Sequence, residues 1–193
     1  LHESIMSVQN RDVDQAQQVI DGDKRIDELE IEVEEECLHA LALHQPVAFD
    51  LRFLVSVLKI NSDLERIGDL AVHVAEQGRF LASEGRVEQM PFDYTTMTGH
   101  VEWMLRTSLD ALVNVDPEKA SAVRARDDEV DEIHRNMYDR VAEHLRANPD
   151  HAEQMIHLLN VSRQLERIAD HACNIAKDVL YLAEGEIVRH RRA

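Results

Sequence analysis

Four pairs of carboxylates in this chain share one spacing: Asp23 with Asp27, Glu65 with Asp69, Asp127 with Asp131, and Glu166 with Asp170. Residues four apart stand one above the other on a helix face, and like charges so placed cost a helix on the order of a few tenths of a kcal/mol per pair. The pairs are also copies. Leu64-Glu65-Arg66-Ile67-Gly68-Asp69 returns as Leu165-Glu166-Arg167-Ile168-Ala169-Asp170, and Asp23/Asp27 returns as Asp127/Asp131. A solvated acidic face accounts for any one pair alone, with Arg66 or Arg167 pairing to a neighbouring acid. The same unfavourable arrangement at matched positions of both copies argues instead for an offsetting cation, one carboxylate site per copy. All-oxygen donor sets suit hard cations such as magnesium, manganese or iron better than zinc. His134 and His171 stand near the second set, but the first copy has Glu30 and Leu70 there, so the histidines are read as incidental.

The apolar stripe around the first motif is centred near Leu64 and Ala71. At about 100° per residue, Glu65 and Asp69 lie well round from it, and Asp27 is placed similarly relative to Ile26 and Val33. The carboxylates are therefore expected on the flank or outer face of a helical bundle, unlike the inward-facing carboxylates of di-iron bundles.

The elements that position them read as helices. Only 4% of the 193 residues are aromatic and Gly and Pro number 6 and 4, so little of the chain is available for tight turns. Residues 3–10 read as the tail of a helix that starts upstream, since the chain opens on Leu1 rather than Met. Asp12 reads as an N-cap for a short helix through Gln15, Gln18 and Ile20 that ends at Asp21-Gly22. Its counterpart is Asp116-Pro117-Glu118, a cap followed by Pro at the first helical position. A long helix is expected from Asp23 to about His44, with Ile26, Leu29, Val33, Cys37, Ala40 and Leu41 on one stripe. Gln45-Pro46 breaks it, and the next helix runs from about Val47 to Leu81. The second copy predicts helices over 92–114, 117–147 and 150–183, broken at Asn148-Pro149-Asp150. The fold class is all-α: two tandem antiparallel three-helix bundles over 1–84 and 93–193, joined by a linker at 85–92. The ending Arg189-His190-Arg191-Arg192 reads as a solvated terminus.

A formal charge of −17 repels phosphate backbones and speaks against nucleic-acid partners. Cys37 and Cys173 occupy non-equivalent positions and form no Cys-x-x-Cys, so a reducing cytosol fits better than a disulfide framework. No apolar run approaches the roughly 20 residues of a membrane span. The chain carries no Gly-x-Gly-x-x-Gly, Walker loop or Gly-x-Ser-x-Gly, and its eleven histidines include no His-x-x-x-His. The expectation is a protein that is not an enzyme, with no catalytic residue or bound organic cofactor.

The chain resembles the PhoU family, phosphate-signalling proteins associated with the high-affinity phosphate ABC transporter. The resemblance covers nearly the whole chain. It is carried by Val19-Ile20-Asp21-Gly22-Asp23-Lys24, Gln45-Pro46 with Asp50-Leu51-Arg52, Leu64–Asp69, Glu166–Asp170 with Cys173-Asn174-Ile175, and Glu184-Gly185-Glu186. It implies two pseudo-symmetric three-helix bundles. It also implies surface metal clusters of iron, manganese, magnesium or zinc at Asp23, Asp27, Glu65, Asp69, Asp127, Asp131, Glu166 and Asp170, as in some members. The implied role is a cytoplasmic negative regulator that bridges the transporter ATPase to a membrane sensor histidine kinase when phosphate is plentiful, reaching the inner membrane through those partners. Asp50 and Arg52 are candidate partner contacts, or equally a local solvated pair. Long amphipathic helices fit a homodimer.

Three departures from the family pattern stand out: the first part of the first helix is absent, Ala169 replaces the glycine found at Gly68, and Asn148-Pro149-Asp150 stands where the first copy has Gln45-Pro46 and Asp50-Leu51-Arg52. The rival readings are a carboxylate metal-storage protein or metal-dependent enzyme, and a PhoU-like regulator of a different transporter.

Overall fold

The computed structural model describes residues 1–84 and 94–185. The expected linker at 85–92 and the basic ending at 189–192 lie outside the described residues. Six α-helices follow one another: α1 (His2–Asn10), α2 (Val13–His44), α3 (Ala48–Ser83), α4 (Thr95–Asn114), α5 (Pro117–Ala147) and α6 (Ala152–Glu184), with a 3-10 turn at Pro149–His151 leading into α6. There is no strand among the described residues.

Both repeats open with the same joint. α1 ends on Arg11 in the left-handed conformation, Asp12 N–H donates to the Ser7 carbonyl, and Asp12 then caps α2 by accepting from Gln15 N–H. In the second repeat Val115 takes the left-handed position, Asp116 N–H donates to the Ala111 carbonyl, and Asp116 caps α5 by accepting from Glu118 and Lys119 N–H. These caps satisfy amides that the first turn leaves without partners.

One expectation is corrected here. The short helix ending at Asp21-Gly22 does not exist as a separate element, and α2 runs unbroken through Gly22 to His44. Gly22 faces open space, with nothing within 4 Å of where its Cβ would stand. A single exposed glycine costs a helix about 1 kcal/mol, which a helix of 32 residues packed along α3 absorbs. The Gln45 break is as expected, with Gln45 itself left-handed.

α1, α2 and α3 pack as one bundle and α4, α5 and α6 as another, and α3 lies along α6 to join them. The two run antiparallel: Lys59, early in α3, reaches Asp178, late in α6, while Gln77, late in α3, reaches His157, early in α6. The apolar core is one cluster running through both repeats, from Ile5 and Val74 through Met97, Met104 and Val130 to Leu165 and Val179. Gly78 lets α1 close onto α3. A Cβ there would stand 3.0 Å from Ser7 Oγ and 3.2 Å from the Val8 backbone nitrogen.

Candidate functional site

α2 and α3 together carry the first carboxylate set, and α5 and α6 the second. In the first, Glu65 and Asp69 are only partly exposed, at 24% and 36% of their side-chain surface, and Asp23 is half-buried while Asp27 is open. Asp23 Oδ1 sits against Gly68, 3.0 Å from where a Cβ would be. Burial first, then the charges of Asp27 and Asp69, raise the Asp23 carboxyl above its ordinary value, with His73 opposing. Burial and Asp69 likewise raise Glu65, with Arg66 opposing and Glu30 and Asp27 adding to the rise. Arg66 is shared between the two, 3.0 Å from Asp69 Oδ2 and 3.5 Å from Glu65 Oε2. Carboxylates that raise one another share a patch, and Asp27 and Asp69 lie within electrostatic reach of both Asp23 and Glu65.

The second set repeats this, with Asp127, Asp131 and Glu166 half-buried and Asp170 exposed. Burial and then Asp170 raise Asp127, with the neighbouring Cys173 and Lys177 opposing. Burial followed by Asp170, Asp131 and Asp127 raise Glu166. Burial and then Asp131 raise Asp170, against Lys177, His171 and Arg167. Both sets lie on bundle flanks, where the helical geometry of the sequence places them.

The donor chemistry fits a hard cation, because each set offers only carboxylate oxygens and gathers them at a cost in mutual repulsion. The side chains do not converge into a closed coordination group of three or more His, Cys, Asp or Glu among the described residues. His134 and His171 face elsewhere: His134 Nδ1 lies 2.9 Å from Ser162 Oγ and His171 Nδ1 lies 2.7 Å from Asp63 Oδ1.

Several residues around the sets carry no signal in the sequence. Cys173 and Lys177 meet Asp127 only because α5 and α6 cross there. Between the repeats runs a polar row made of Lys59 with Asp178 at 3.3 Å, Asp63 with His171, and Gln77 with His157 at 2.6 Å. Asp50 is exposed, as a partner contact requires. Arg52 instead turns to the carboxyl end of α6, its Cζ 3.8 Å from where a Gly185 Cβ would stand, and its buried Nε has no hydrogen-bond partner among the described residues. A guanidinium at a helix C-terminus meets the negative end of the helix dipole.

No helix among the described residues is long and apolar enough to cross a membrane. Residues 1–78 and 94–179 match the PhoU domain model. The chain is 35% identical over 188 residues to the phosphate-specific transport system accessory protein PhoU homolog of Caulobacter vibrioides, covering 97% of this chain and 82% of that one. It is 38% identical to the protein of the same name from Aquifex aeolicus, covering 96% and 83%. The crystal structure of PhoU from Pseudomonas aeruginosa superposes with a TM-score of 0.92 at 33% identity, covering 96% of this chain and 88% of that one. The phosphate transport system regulatory protein PhoU from Streptococcus pneumoniae superposes with a TM-score of 0.84 at 26% identity, covering 97% and 87%. With both repeats matched in sequence and nearly the whole chain matched in fold, the chain belongs to the PhoU family.

Proposed function

We propose that this protein is an accessory protein of phosphate transport that works by docking rather than by catalysis. The carrying observation is the match of both repeats to the PhoU domain, together with the relatives being accessory proteins of phosphate-specific transport. Two long-helix bundles locked along α3 and α6 form a stiff scaffold, which suits holding partners in register. In this reading the chain is a cytoplasmic homodimer that bridges the ATPase subunit of the phosphate transporter and a sensor histidine kinase, and represses the starvation response when phosphate is plentiful. Asp50 in the exposed first turn of α3 is a partner contact, while Arg52 holds the start of α3 to the end of α6. The two carboxylate sets bind hard cations that relieve the repulsion within each set.

The experiment is a pull-down with the tagged protein from cells grown in high or low phosphate, read for transporter ATPase and sensor kinase. Recovery of either one in a phosphate-dependent amount is expected. Recovery of neither in both conditions, with manganese or iron retained after desalting, transfers the assignment to a metal-storage or metal-dependent role.

A further inference from the structure

The α5–α6 turn lies at the opposite end of the molecule from Asp50 and Arg52, because α3 and α6 run antiparallel. Two histidines meet across it. His144 Nε2, in the last turn of α5, lies 3.0 Å from Nδ1 of His151, the N-cap of α6. The rings are half-buried and inclined by only 22°, with centroids 5.2 Å apart. The centroids are farther apart than the nitrogens by about two ring radii, so the rings meet edge to edge and the two nitrogens point at each other. That geometry fits one shared proton. It does not fit a shared metal ion, which needs both lone pairs to converge on a third point about 2.0–2.1 Å from each nitrogen.

The helix ends decide which ring holds the proton. His144 sits at the negative end of the α5 dipole and His151 at the positive end of the α6 dipole, so positive charge is favoured on the first and disfavoured on the second. His144 Nε2–H is therefore the donor and His151 Nδ1 the acceptor. A further proton can enter at His144 Nδ1 without disturbing the bond. A proton on His151 Nδ1 removes the acceptor and sets two N–H groups head to head. The turn is otherwise tied by Asn148, whose backbone N–H and side-chain amide donate to the His144 carbonyl at 2.9 and 3.3 Å. The charged side chains on the elements meeting here, Arg140, Glu143 and Arg146 of α5, Asp150 of the turn, Glu153 of α6 and Glu84 at the end of α3, are all exposed, and the first turn of α4 carries no charge. The next tie along α6 tolerates acid. His157 stacks on Phe80 with centroids 3.6 Å apart and lies 2.6 Å from Gln77 Oε1, an acceptor that suits a protonated ring as well as a neutral one.

We propose that His144 and His151 form a proton-gated clasp, closed while His151 is neutral and releasing residues 148–156 when His151 takes a proton. His157 sets the limit of the opening. The clasp belongs to the second repeat alone, since the matched positions of the first carry Ala40 and Asp50. It loosens one end of the scaffold on acidification and has no counterpart at the end where Asp50 stands.

Amide exchange read by NMR tests this, because local protection separates the turn from the carboxylates that shift global unfolding. Relative to the intrinsic rate at each pH, protection at the Asn148 and His151 amides is expected to fall about tenfold between about pH 7.5 and about pH 5, with amides beyond His157 unchanged. His151→Asn places an amide oxygen near the position of Nδ1 and cannot take the proton, so its turn is expected to stay protected at both pH values. His144→Gln keeps a donor near the position of Nε2 and is expected to keep the pH dependence. His144→Phe is expected to exchange fast at both. The proposal is overturned if protection at the turn of the unaltered chain does not change with pH, or if His151→Asn loses protection on acidification as the unaltered chain does. It is equally overturned if equimolar zinc protects the turn of the unaltered chain but not of His144→Phe, which assigns the pair to a metal.

Discussion

Asp23 Oδ1 lies against Gly68, 3.0 Å from where a Cβ would be, so one acid of the first set is held in place by the absence of a side chain on the neighbouring helix. The second repeat has Ala169 at that position, and its counterpart acid, Asp127, lies beside Cys173. Gly68→Ala is expected to displace Asp23 and weaken cation binding by the first set several-fold while sparing the second. Titration calorimetry with manganese, repeated on Glu166→Gln to isolate the first set, measures this. Equal affinities in the glycine and alanine proteins would show that Asp23 is not a ligand.

Gly78 is a different kind of close approach, between α1 and α3. Gly78→Ala places a methyl against Ser7 and the Val8 backbone, and α1 must retreat. Overpacking of this sort costs about 1–3 kcal/mol. Urea unfolding is expected to show a lower midpoint with an unchanged slope.

Val115 holds φ at 48°, a left-handed conformation that crowds a β-branched residue. Val115→Gly is expected to raise stability by about 1 kcal/mol, the relief of strain exceeding the entropy glycine adds to the unfolded chain. Thermal unfolding reads the gain. Arg11, at the equivalent joint, gives less room for improvement because its guanidinium donates to the Leu81 and Glu84 carbonyls and ties α1 to the end of α3.

The raised carboxyls make a pH prediction. Asp23, Glu65, Asp127, Glu166 and Asp170 all hold protons more tightly folded than unfolded. Their contribution to stability is complete below the unfolded carboxyl values and is lost as pH rises through the folded ones. Metal-free protein is therefore expected to melt at higher temperature near pH 5 than at pH 7. His134 works in the opposite sense, since burial lowers its value and its charging on acidification favours unfolding. Manganese at pH 7 is expected to replace the protons and raise the melting temperature, and Glu166→Gln to shrink both the acid and the metal effect. Calorimetry at the two pH values, with and without metal, tests all three statements.

Much of this architecture was legible because its causes are local. Asp116-Pro117 announces a capped helix, Gln45-Pro46 a break, and the recurrence of Glu65–Asp69 as Glu166–Asp170 a duplicated unit. The flank position of the carboxylates followed from helical periodicity alone. Asp21-Gly22 misled for an equally physical reason: it looks like a helix end, but packing along α3 outweighs one exposed glycine. The row of Lys59 with Asp178 and Asp63 with His171 was not readable, because each partner is an ordinary polar residue on its own helix. Only the antiparallel crossing of α3 and α6 makes them neighbours. The same holds for Arg52, whose place against Gly185 depends on where α6 ends relative to the α2–α3 turn.

Both sulfhydryls of the chain, Cys37 and Cys173, are buried, and burial pushes each above its ordinary value, with Asp127 adding to the rise at Cys173. Thiolate, not thiol, is the species that peroxide and electrophiles attack. The folded protein thus keeps both sulfurs as thiols rather than thiolates at neutral pH, which slows their oxidation and alkylation.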